Sequence, residues 1–214
     1  MAKSVSSATS GELKTEPKHI GIFGGAFDPI HNGHLAVAAA AVEQLQLQAL
    51  YFVPTFVPAH KPQPWFSFDA RVAMLKDCIA HEPRYCVSTV ERNLPQPSYT
   101  INTLKILRSQ LKQPTEFTLI VGEDSYWALP SWNEWQTLQT LCKIAVFPRK
   151  TDLHDQIPSG RHHTQAYWLK AALISVSSTN IRAQLHQGRS IEHLVPKPVQ
   201  QWILGRHTNT GDFS

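Results

Sequence analysis

The residues best suited to chemistry in this sequence are His31 and His34, which lie three positions apart near the predicted start of a helix. Residues at this spacing share one face of a helix. The N-terminus of a helix also offers unpaired backbone N–H groups and the positive end of the helix dipole, which together attract anions. Both imidazole side chains are therefore predicted to face a bound anion such as a phosphate group.

The segment in front of these histidines, GIFGGAFDPI, predicts a phosphate-binding turn at the end of a buried strand. Gly24 and Gly25 lack the side chains that would keep a ligand away from the backbone. Asn32 is the expected N-cap of a helix that begins near Gly33. Protein-held zinc is disfavoured, because a zinc-binding pair on a helix is spaced i, i+4 and no carboxylate third ligand follows. A purely structural role for the histidines, in capping and packing, stays open at this point.

A second motif, ISVSSTNIR at residues 174–182, ends another apolar run with residues that can open a helix. The hydroxyl and backbone N–H groups of Ser177, Ser178 and Thr179 can bind phosphate oxygens. Arg182 in the first helical turn opposes the helix dipole by about 0.3–1 kcal/mol, so its presence is better explained if an anion binds there. The alternative is an ordinary N-cap with Arg182 in solvent.

Two further segments carry candidate ligand residues. His60 and Lys61 lie in a long proline-bearing loop after the second predicted strand, where Lys61 can meet a phosphate as a point charge. An ordinary basic surface loop is the alternative for this pair. In SYTINTL, residues 98–104, the hydroxyls of Ser98 and Thr100 can cap a helix, and capping alone would explain them.

The segment 122–135, GEDSYWALPSWNEW, concentrates tryptophans just after a predicted strand. Large aromatic residues usually pack in the core, which is the expected role of Trp135. Trp132 follows Pro130 and Ser131 in a loop at the predicted ligand edge, where it can stack on a flat heteroaromatic ring.

Strands and helices alternate along the chain and predict a doubly wound parallel α/β sheet, in which ligands bind beyond the carboxyl ends of the strands. After the first strand, the predicted elements are a helix at Gly33–Leu47, strand Leu50–Val53, a helix capped by Asp69 with Val72, Leu75 and Ile79 on one face, strand Tyr85–Val90, helix Ile101–Leu111, strand Phe117–Val121, helix Trp132–Leu141, strand Ile144–Phe147, a loop at His154–His163, a strand-like run at Tyr167–Val176, helix Thr179–Gln187 closed by Gly188, and helix Pro196–Leu204.

Length and composition limit the classes of protein to which the chain could belong. The 214 residues favour one domain at 18–206, with a flexible N-terminal tail at 1–17 and a C-terminal tail at 207–214. The excess of 20 Lys and Arg over 16 Asp and Glu, a net charge of +4, suits anionic ligands, and nucleic acid is not an expected partner. The chain lacks the G-x-G-x-x-G turn of a dinucleotide-dependent oxidoreductase.

The three cysteines are scattered and include no C-x-x-C pair, so neither a disulfide framework nor a cysteine zinc site is indicated. A reducing cytoplasm is the expected location. The N-terminal segment lacks the apolar run of a signal peptide or a membrane span, and no membrane partner is expected. The sequence does not distinguish a monomer from a homo-oligomer.

Together, the motifs resemble the HxGH nucleotidyltransferase superfamily and, within it, the bacterial nicotinate-nucleotide adenylyltransferases. FGGAFDPIHNGH is similar to the family signature FGGTFDPIHxGH, and VPTFVPAHK to its VPxxxPPHK loop. SYTINTL is similar to SYTxDTL, and VSSTNIR to ISSTxIR. The first and last motifs are typical of the superfamily, and the middle ones separate this family from pantetheine-phosphate and glycerol-phosphate transferases.

The resemblance implies a Rossmann-like fold and transfer of the adenylyl group of ATP to nicotinate mononucleotide, giving deamido-NAD and pyrophosphate. Mg²⁺ is expected to be carried by the ATP phosphates, with no metal ligands from the protein. The residues that the resemblance assigns are His31, His34, Ser178 and Arg182 for catalysis, Gly24, Gly25, Ala26, Phe27, Ser177, Thr179 and Lys61 for ATP and its phosphates, and Thr100, Asp124, Trp132 and Asn133 for nicotinate mononucleotide.

Several positions depart from the family pattern. Ala26 replaces a threonine, which removes one hydroxyl from the phosphate turn, and Glu123 stands where a small residue is common. Asn133 and Glu134 replace an aromatic residue or histidine followed by arginine. Glu134 would disfavour the carboxylate of nicotinate if its side chain pointed inward, so nicotinamide mononucleotide stays open as an alternative acceptor. Phosphopantetheine is the other alternative acceptor for the same adenylyl transfer.

Overall fold

A computed structural model of the chain describes residues 18–59, 62–111, 113–148, 166–170 and 175–207. Its described strands form one six-stranded parallel sheet in the order β3–β2–β1–β4–β5–β6. The strands are β1 (Lys18–Gly25), β2 (Ala49–Pro54), β3 (Tyr85–Val87), β4 (Thr115–Gly122), β5 (Cys142–Phe147) and β6 (Ala166–Trp168).

Seven α-helices connect or follow these strands in the described part of the chain. They are α1 (Asn32–Gln44), α2 (Phe68–Ile79), α3 (Thr100–Gln110), α4 (Glu123–Ala128), α5 (Trp135–Leu141), α6 (Ser178–His186) and α7 (Lys197–His207). Two short 3₁₀ helices, Val90–Asn93 and Leu129–Ser131, lie in the connections. The prediction of a Rossmann-like α/β fold is confirmed.

The sheet separates two hydrophobic cores because successive side chains of a strand point to opposite faces. In β1, Phe23 belongs to the core that α1, α2, α6 and α7 cover. Its neighbour Ile22 belongs to the core under α3, α4 and α5. The strand order also reverses at β1, which pairs with β2 on one side and β4 on the other. Ligands of open α/β sheets bind at this kind of switch point, beyond the carboxyl ends of the strands.

Two predicted helix caps are wrong by one or two residues. The N-cap of α1 is His31, whose ring accepts the N–H of His34, and Asn32 is the first helical residue. The N-cap of α2 is Ser67, whose hydroxyl accepts the N–H of Ala70. Asp69 pairs with Arg92 instead. In both cases a side chain one or two positions earlier in the sequence accepts the N–H group at the start of the helix.

The opening of α3 also differs from the prediction. Its N-cap is Tyr99, without a side-chain hydrogen bond, so neither Ser98 nor Thr100 caps the helix. Ser98 is engaged elsewhere, because its hydroxyl accepts the N–H of Val57. A contact that is distant in sequence therefore replaces the local cap.

The remaining differences concern where elements begin and end. The third strand stops at Val87, and Val90 already belongs to a 3₁₀ helix. Helix α5 starts at Trp135, three residues later than predicted. The strand-like run at 167–176 contributes only its first residues to β6, and positions 171–174 lie outside the described residues, as does the predicted loop at 154–163.

Gly21 in β1 generates a test of core packing. A Cβ at this position would lie 2.5 Å from Cδ1 of Leu47 and 2.9 Å from Cδ1 of Leu50. Two leucine side chains would have to move, so Gly21→Ala is expected to lower the free energy of unfolding by about 1–3 kcal/mol. Urea denaturation measures it.

Gly205→Ala is the matched control, since a Cβ there would meet no atom within 4 Å. Alanine is the better helix former, so this change in α7 is expected to raise the free energy of unfolding by up to about 1 kcal/mol. Equal stability of the Gly21 variant and the native chain would contradict the packing described for β1.

Candidate active site

His31 and His34 stack on each other at the start of α1. Their ring centroids lie 3.6 Å apart with an angle of 19° between the planes. The N–H of His34 donates to Nδ1 of His31, and the N–H of His31 donates to Nδ1 of His34, each over 3.3 Å. A nitrogen that accepts a hydrogen bond carries no proton, so in the neutral ring the proton resides on Nε2. The reciprocal cap therefore prepares two Nε2–H donors side by side.

The turn after β1 packs against this histidine pair. The ring of Phe27 meets the ring of His34 edge-on, with centroids 5.0 Å apart. Phe27 has a φ of +48°, a left-handed conformation that is uncommon for residues other than glycine. Gly25 lies directly under the Phe27 ring, which would be 3.3 Å from a Cβ at that position. Packing in the turn thus fixes the orientation of His34.

Gly33, between the two histidines, allows a second segment to approach. A Cβ at Gly33 would lie 2.9 Å from Cγ1 of Val176 and 3.1 Å from Nδ1 of His31. Val176 directly precedes the opening of α6. The absence of a side chain at this position therefore lets the second motif lie against the first.

Hydrogen bonds hold the opening of α6 on the turn after β1. The hydroxyl of Ser178 donates to the carbonyl of Pro29 over 3.0 Å. Nη1 of Arg182 donates to the Asp28 carbonyl over 2.7 Å and to its carboxylate over 3.2 Å. Arg182 is thus anchored on the turn, in contrast to the alternative of an arginine in solvent.

The N-cap of α6 is Ser177, whose hydroxyl accepts the N–H of Asn180. The Ser178 hydroxyl is directed to a carbonyl, so the donors that this helix offers to an anion are the backbone N–H groups of its first residues. Gly24, Gly25, Ala26, Phe27, His31, His34, Ser177, Ser178, Thr179 and Arg182 lie in the two segments that these contacts bring together, and their roles toward ATP stay predictions.

Asp28 is a buried carboxylate that the sequence motifs do not single out as a functional residue. It is only 4% exposed. It accepts the N–H groups of Trp65 and Phe66, over 2.7 and 2.8 Å, in addition to Arg182. The same side chain therefore holds the end of the proline-bearing loop and the arginine of α6. A charged residue inside a turn of small and apolar residues was the only sequence signal.

A second buried carboxylate, Glu91, holds the start of the same loop. It accepts the N–H of Phe56 over 3.1 Å and the hydroxyl of Thr103 over 3.0 Å. Burial raises the pKa of Glu91, and hydrogen bonds from Ser98, Phe56 and Thr103 oppose that effect. Both ends of the loop are therefore fixed by carboxylates. His60 and Lys61, near its middle, lie outside the described residues, and the role of Lys61 stays a prediction.

The residues predicted for the acceptor lie on the other face of the sheet, close to the carboxyl end of β4. Thr100 is the first residue of α3, and Asp124 is in the first turn of α4. Trp132 is half-buried against the second core, and Asn133 is exposed. Because β4 is the direct neighbour of β1, this group belongs to the same edge of the sheet as the histidines. Trp135 is buried, which confirms its expected core role.

Glu134 is paired with a cation. Its two carboxylate oxygens lie 3.1 and 2.8 Å from Nζ of Lys105 on α3. Glu134 also has a φ of +50°. The concern that this acidic residue repels a nicotinate carboxylate is therefore reduced, because Lys105 balances its charge.

The described residues contain no group of three or more His, Cys, Asp and Glu side chains that could hold a metal ion. No helix among them is both long and apolar enough to cross a membrane.

Comparison with known proteins assigns the chain to a family. Residues 22–184 match the family described as cytidylyltransferase-like. A probable nicotinate-nucleotide adenylyltransferase of Yersinia pestis is 33% identical over 200 residues, 85% of this chain and 91% of that protein. One of Pseudomonas aeruginosa is 33% identical over 207 residues, 89% of this chain and 96% of that protein. The chain belongs to the nicotinate-nucleotide adenylyltransferase family.

The fold is shared with solved structures. A solved structure of the Plasmodium falciparum nicotinic acid mononucleotide adenylyltransferase complexed with NaAD superposes with a TM-score of 0.70 at 19% identity. The match covers 92% of this chain and 98% of that one. The nicotinate-nucleotide adenylyltransferases are nucleotidyltransferases, so the chain is an enzyme of that class, as the sequence resemblance indicated.

Gly33→Ala tests the contact between the two motifs. The new methyl group would collide with Val176 and the ring of His31, so either α6 or the histidine must shift. A displacement of about 1 Å can cost about 100-fold in rate, and we expect a loss of this size in kcat/KM for adenylyl transfer with the fold retained. Circular dichroism and steady-state kinetics measure the two effects. Activity within twofold of the native chain would show that the contact is not needed.

Proposed function

We propose that this chain transfers the adenylyl group of ATP to nicotinate mononucleotide, releasing pyrophosphate and forming deamido-NAD. The observation that carries the proposal is the anchoring of Arg182 and the α6 opening on the turn that ends at the histidine pair. This arrangement collects imidazole donors, a guanidinium and two helix N-termini at one edge of the sheet. Such a set suits a triphosphate.

The chemistry needs alignment rather than a covalent intermediate. An oxygen of the mononucleotide phosphate attacks the α-phosphorus of ATP, and the bond from that phosphorus to the bridging oxygen breaks as pyrophosphate leaves. Nε2–H groups of His31 and His34 donate to the phosphate oxygens, where charge accumulates in the transition state. Arg182 and the first N–H groups of α6 bind the departing pyrophosphate.

Mg²⁺ fits this site as a partner of ATP rather than of the protein. Mg²⁺ prefers carboxylate and phosphate oxygens and keeps part of its water shell. The carboxylate of Asp28, the buried acid of the phosphate turn, is already occupied by two N–H groups and Arg182. The ATP phosphates are therefore the expected ligands, and the bound ion would neutralise charge on the leaving pyrophosphate.

The acceptor is proposed to bind at the carboxyl end of β4. Trp132 would stack on the pyridine ring, while Thr100 and the backbone near Asn133 would receive the carboxylate. Asp124 would lie near the ribose or phosphate. The unpaired state of Cys78, Cys86 and Cys142 supports the further proposal of a reducing, cytoplasmic location.

The direct test is pyrophosphate release from ATP and Mg²⁺ by purified protein. Nicotinate mononucleotide, nicotinamide mononucleotide and phosphopantetheine are supplied in parallel at equal concentration. Release chiefly with nicotinate mononucleotide is the expected result. Preference for another acceptor would keep adenylyl transfer but change the assigned acceptor. No release with any acceptor would overturn the proposed function.

Lys105→Ala tests the role of the Lys105–Glu134 pair in acceptor choice. Removal of Lys105 leaves the Glu134 charge beside the proposed carboxylate subsite, so the KM for nicotinate mononucleotide is expected to rise. The pair is about half exposed, with side-chain exposures of 45% and 42%, which limits the rise to about two- to fivefold. The KM for nicotinamide mononucleotide, which lacks the carboxylate, is expected to stay nearly constant.

The double variant Lys105→Ala with Glu134→Gln is the matched control. It removes both charges and is expected to return the KM for nicotinate mononucleotide close to that of the native chain. An equal rise for both mononucleotides, or no recovery in the double variant, would contradict an electrostatic role.

A further inference from the structure

Arg71 on α2 is a buried cation that the reaction described above does not use. Its side chain is 1% exposed. Nη1 donates to the Ala26 carbonyl over 2.6 Å, Nη2 to the Thr55 carbonyl over 2.9 Å, and Nε to the Phe66 carbonyl over 3.1 Å. One guanidinium thus holds the phosphate turn and both ends of the proline-bearing loop.

The burial of the Arg71 cation costs free energy, so its hydrogen bonds must serve a purpose. A buried cation loses its hydration, and within the described residues Arg71 has no carboxylate at ion-pair distance. Burial lowers the pKa of Arg71, while the charges of Asp28 and Glu91 oppose that effect. An apolar side chain would fill the same volume without that cost. Unlike an apolar side chain, the guanidinium fixes the positions of three carbonyl groups.

The Ala26 carbonyl matters most because it belongs to the peptide that precedes Phe27. This peptide is trans, and in a trans peptide the C=O and the following N–H point in opposite directions. Since the Ala26 carbonyl points toward Arg71, the N–H of Phe27 points away from Arg71. Phe27 is 1% exposed, and none of the described residues accepts a hydrogen bond from its N–H, although buried backbone donors are almost always paired.

We infer that Arg71 is a positioning residue that fixes the plane of the Ala26–Phe27 peptide, so that the N–H of Phe27, a residue that the family resemblance assigns to ATP, donates to a phosphate group. The left-handed φ of Phe27, +48°, fits this role, because a disfavoured conformation persists only where its surroundings enforce it. The inference rests on the proposed function for the identity of the anion. The orientation of the peptide itself follows from the contacts of Arg71.

The first experiment observes the Phe27 N–H in the native chain. Ala26–Phe27 is the only Ala–Phe pair in the sequence, so alanine labelled with ¹³C at the carbonyl and phenylalanine labelled with ¹⁵N give one HNCO signal. On addition of Mg²⁺ with α,β-methylene-ATP, we expect this signal to move and its amide exchange to slow.

The outcomes separate the inference from the proposed function. If other ¹⁵N-phenylalanine signals move with the analogue while the Phe27 signal does not, the positioning role of Arg71 is overturned and nucleotide binding stands. If no signal moves at analogue concentrations well above the KM for ATP, the proposed function is overturned together with the inference.

The second experiment separates positioning from stability. Arg71→Lys keeps the charge but cannot bond three carbonyls at once, and Arg71→Met removes the charge as well. The matched control is Met74→Ala, which leaves a cavity in a fully buried position of the same helix. Each variant is assayed at a temperature where its unfolding curve shows it folded.

A positioning role predicts a kcat that is about 10- to 100-fold lower in both Arg71 variants, with KM for ATP changed less. It also predicts a kcat near the native value for Met74→Ala. Equal kcat in the three variants would overturn the inference. If an Arg71 variant does not fold, the native-chain measurement decides alone.

Discussion

The site depends on the contact that joins the opening of α6 to the turn after β1. Ser178 and Arg182 are about 150 positions away from Pro29 and Asp28, yet their hydrogen bonds place the two segments side by side. Gly33 makes that approach possible, since any side chain would strike Val176. Without this contact, the histidine pair and Arg182 would be separate features of a common fold.

Charge in the interior maintains the geometry of that contact. Asp28 binds Arg182 on one side and two N–H groups of the proline-bearing loop on the other. Glu91 fixes the opposite end of this loop, and Arg71 bonds the carbonyls of both ends and of the phosphate turn. Buried charges are stable only when their hydrogen bonds are satisfied, so movement of one segment would leave the others unpaired. The turn after β1 and the proline-bearing loop are therefore joined by shared hydrogen bonds to Asp28 and Arg71.

Local patterns predicted the order of the elements and singled out the two motifs that the structure brings together. Strands such as β4 and helices such as α3 follow from short-range periodicity, and His31 and His34 are neighbours in sequence as well as in space. The roles of Arg71 and Asp28 could not be predicted, because each depends on partners that folding brings together. The same limit explains Ser98, which the sequence predicts as a cap of α3. Its hydroxyl instead accepts a hydrogen bond from Val57, a residue that is distant in sequence. The Lys105–Glu134 pair likewise joins residues that are 29 positions apart.

We propose that the two distant motifs form one site that acts on one triphosphate. A double-mutant cycle with His34→Ala and Arg182→Ala, measured as kcat/KM for adenylyl transfer by folded variants, is the most direct test. Groups that act together on the same transition state give non-additive losses. If both motifs act on one triphosphate, the loss in the double variant is expected to be at least about tenfold smaller than the product of the two single losses. Losses that multiply to within about twofold would mean independent action and would contradict it.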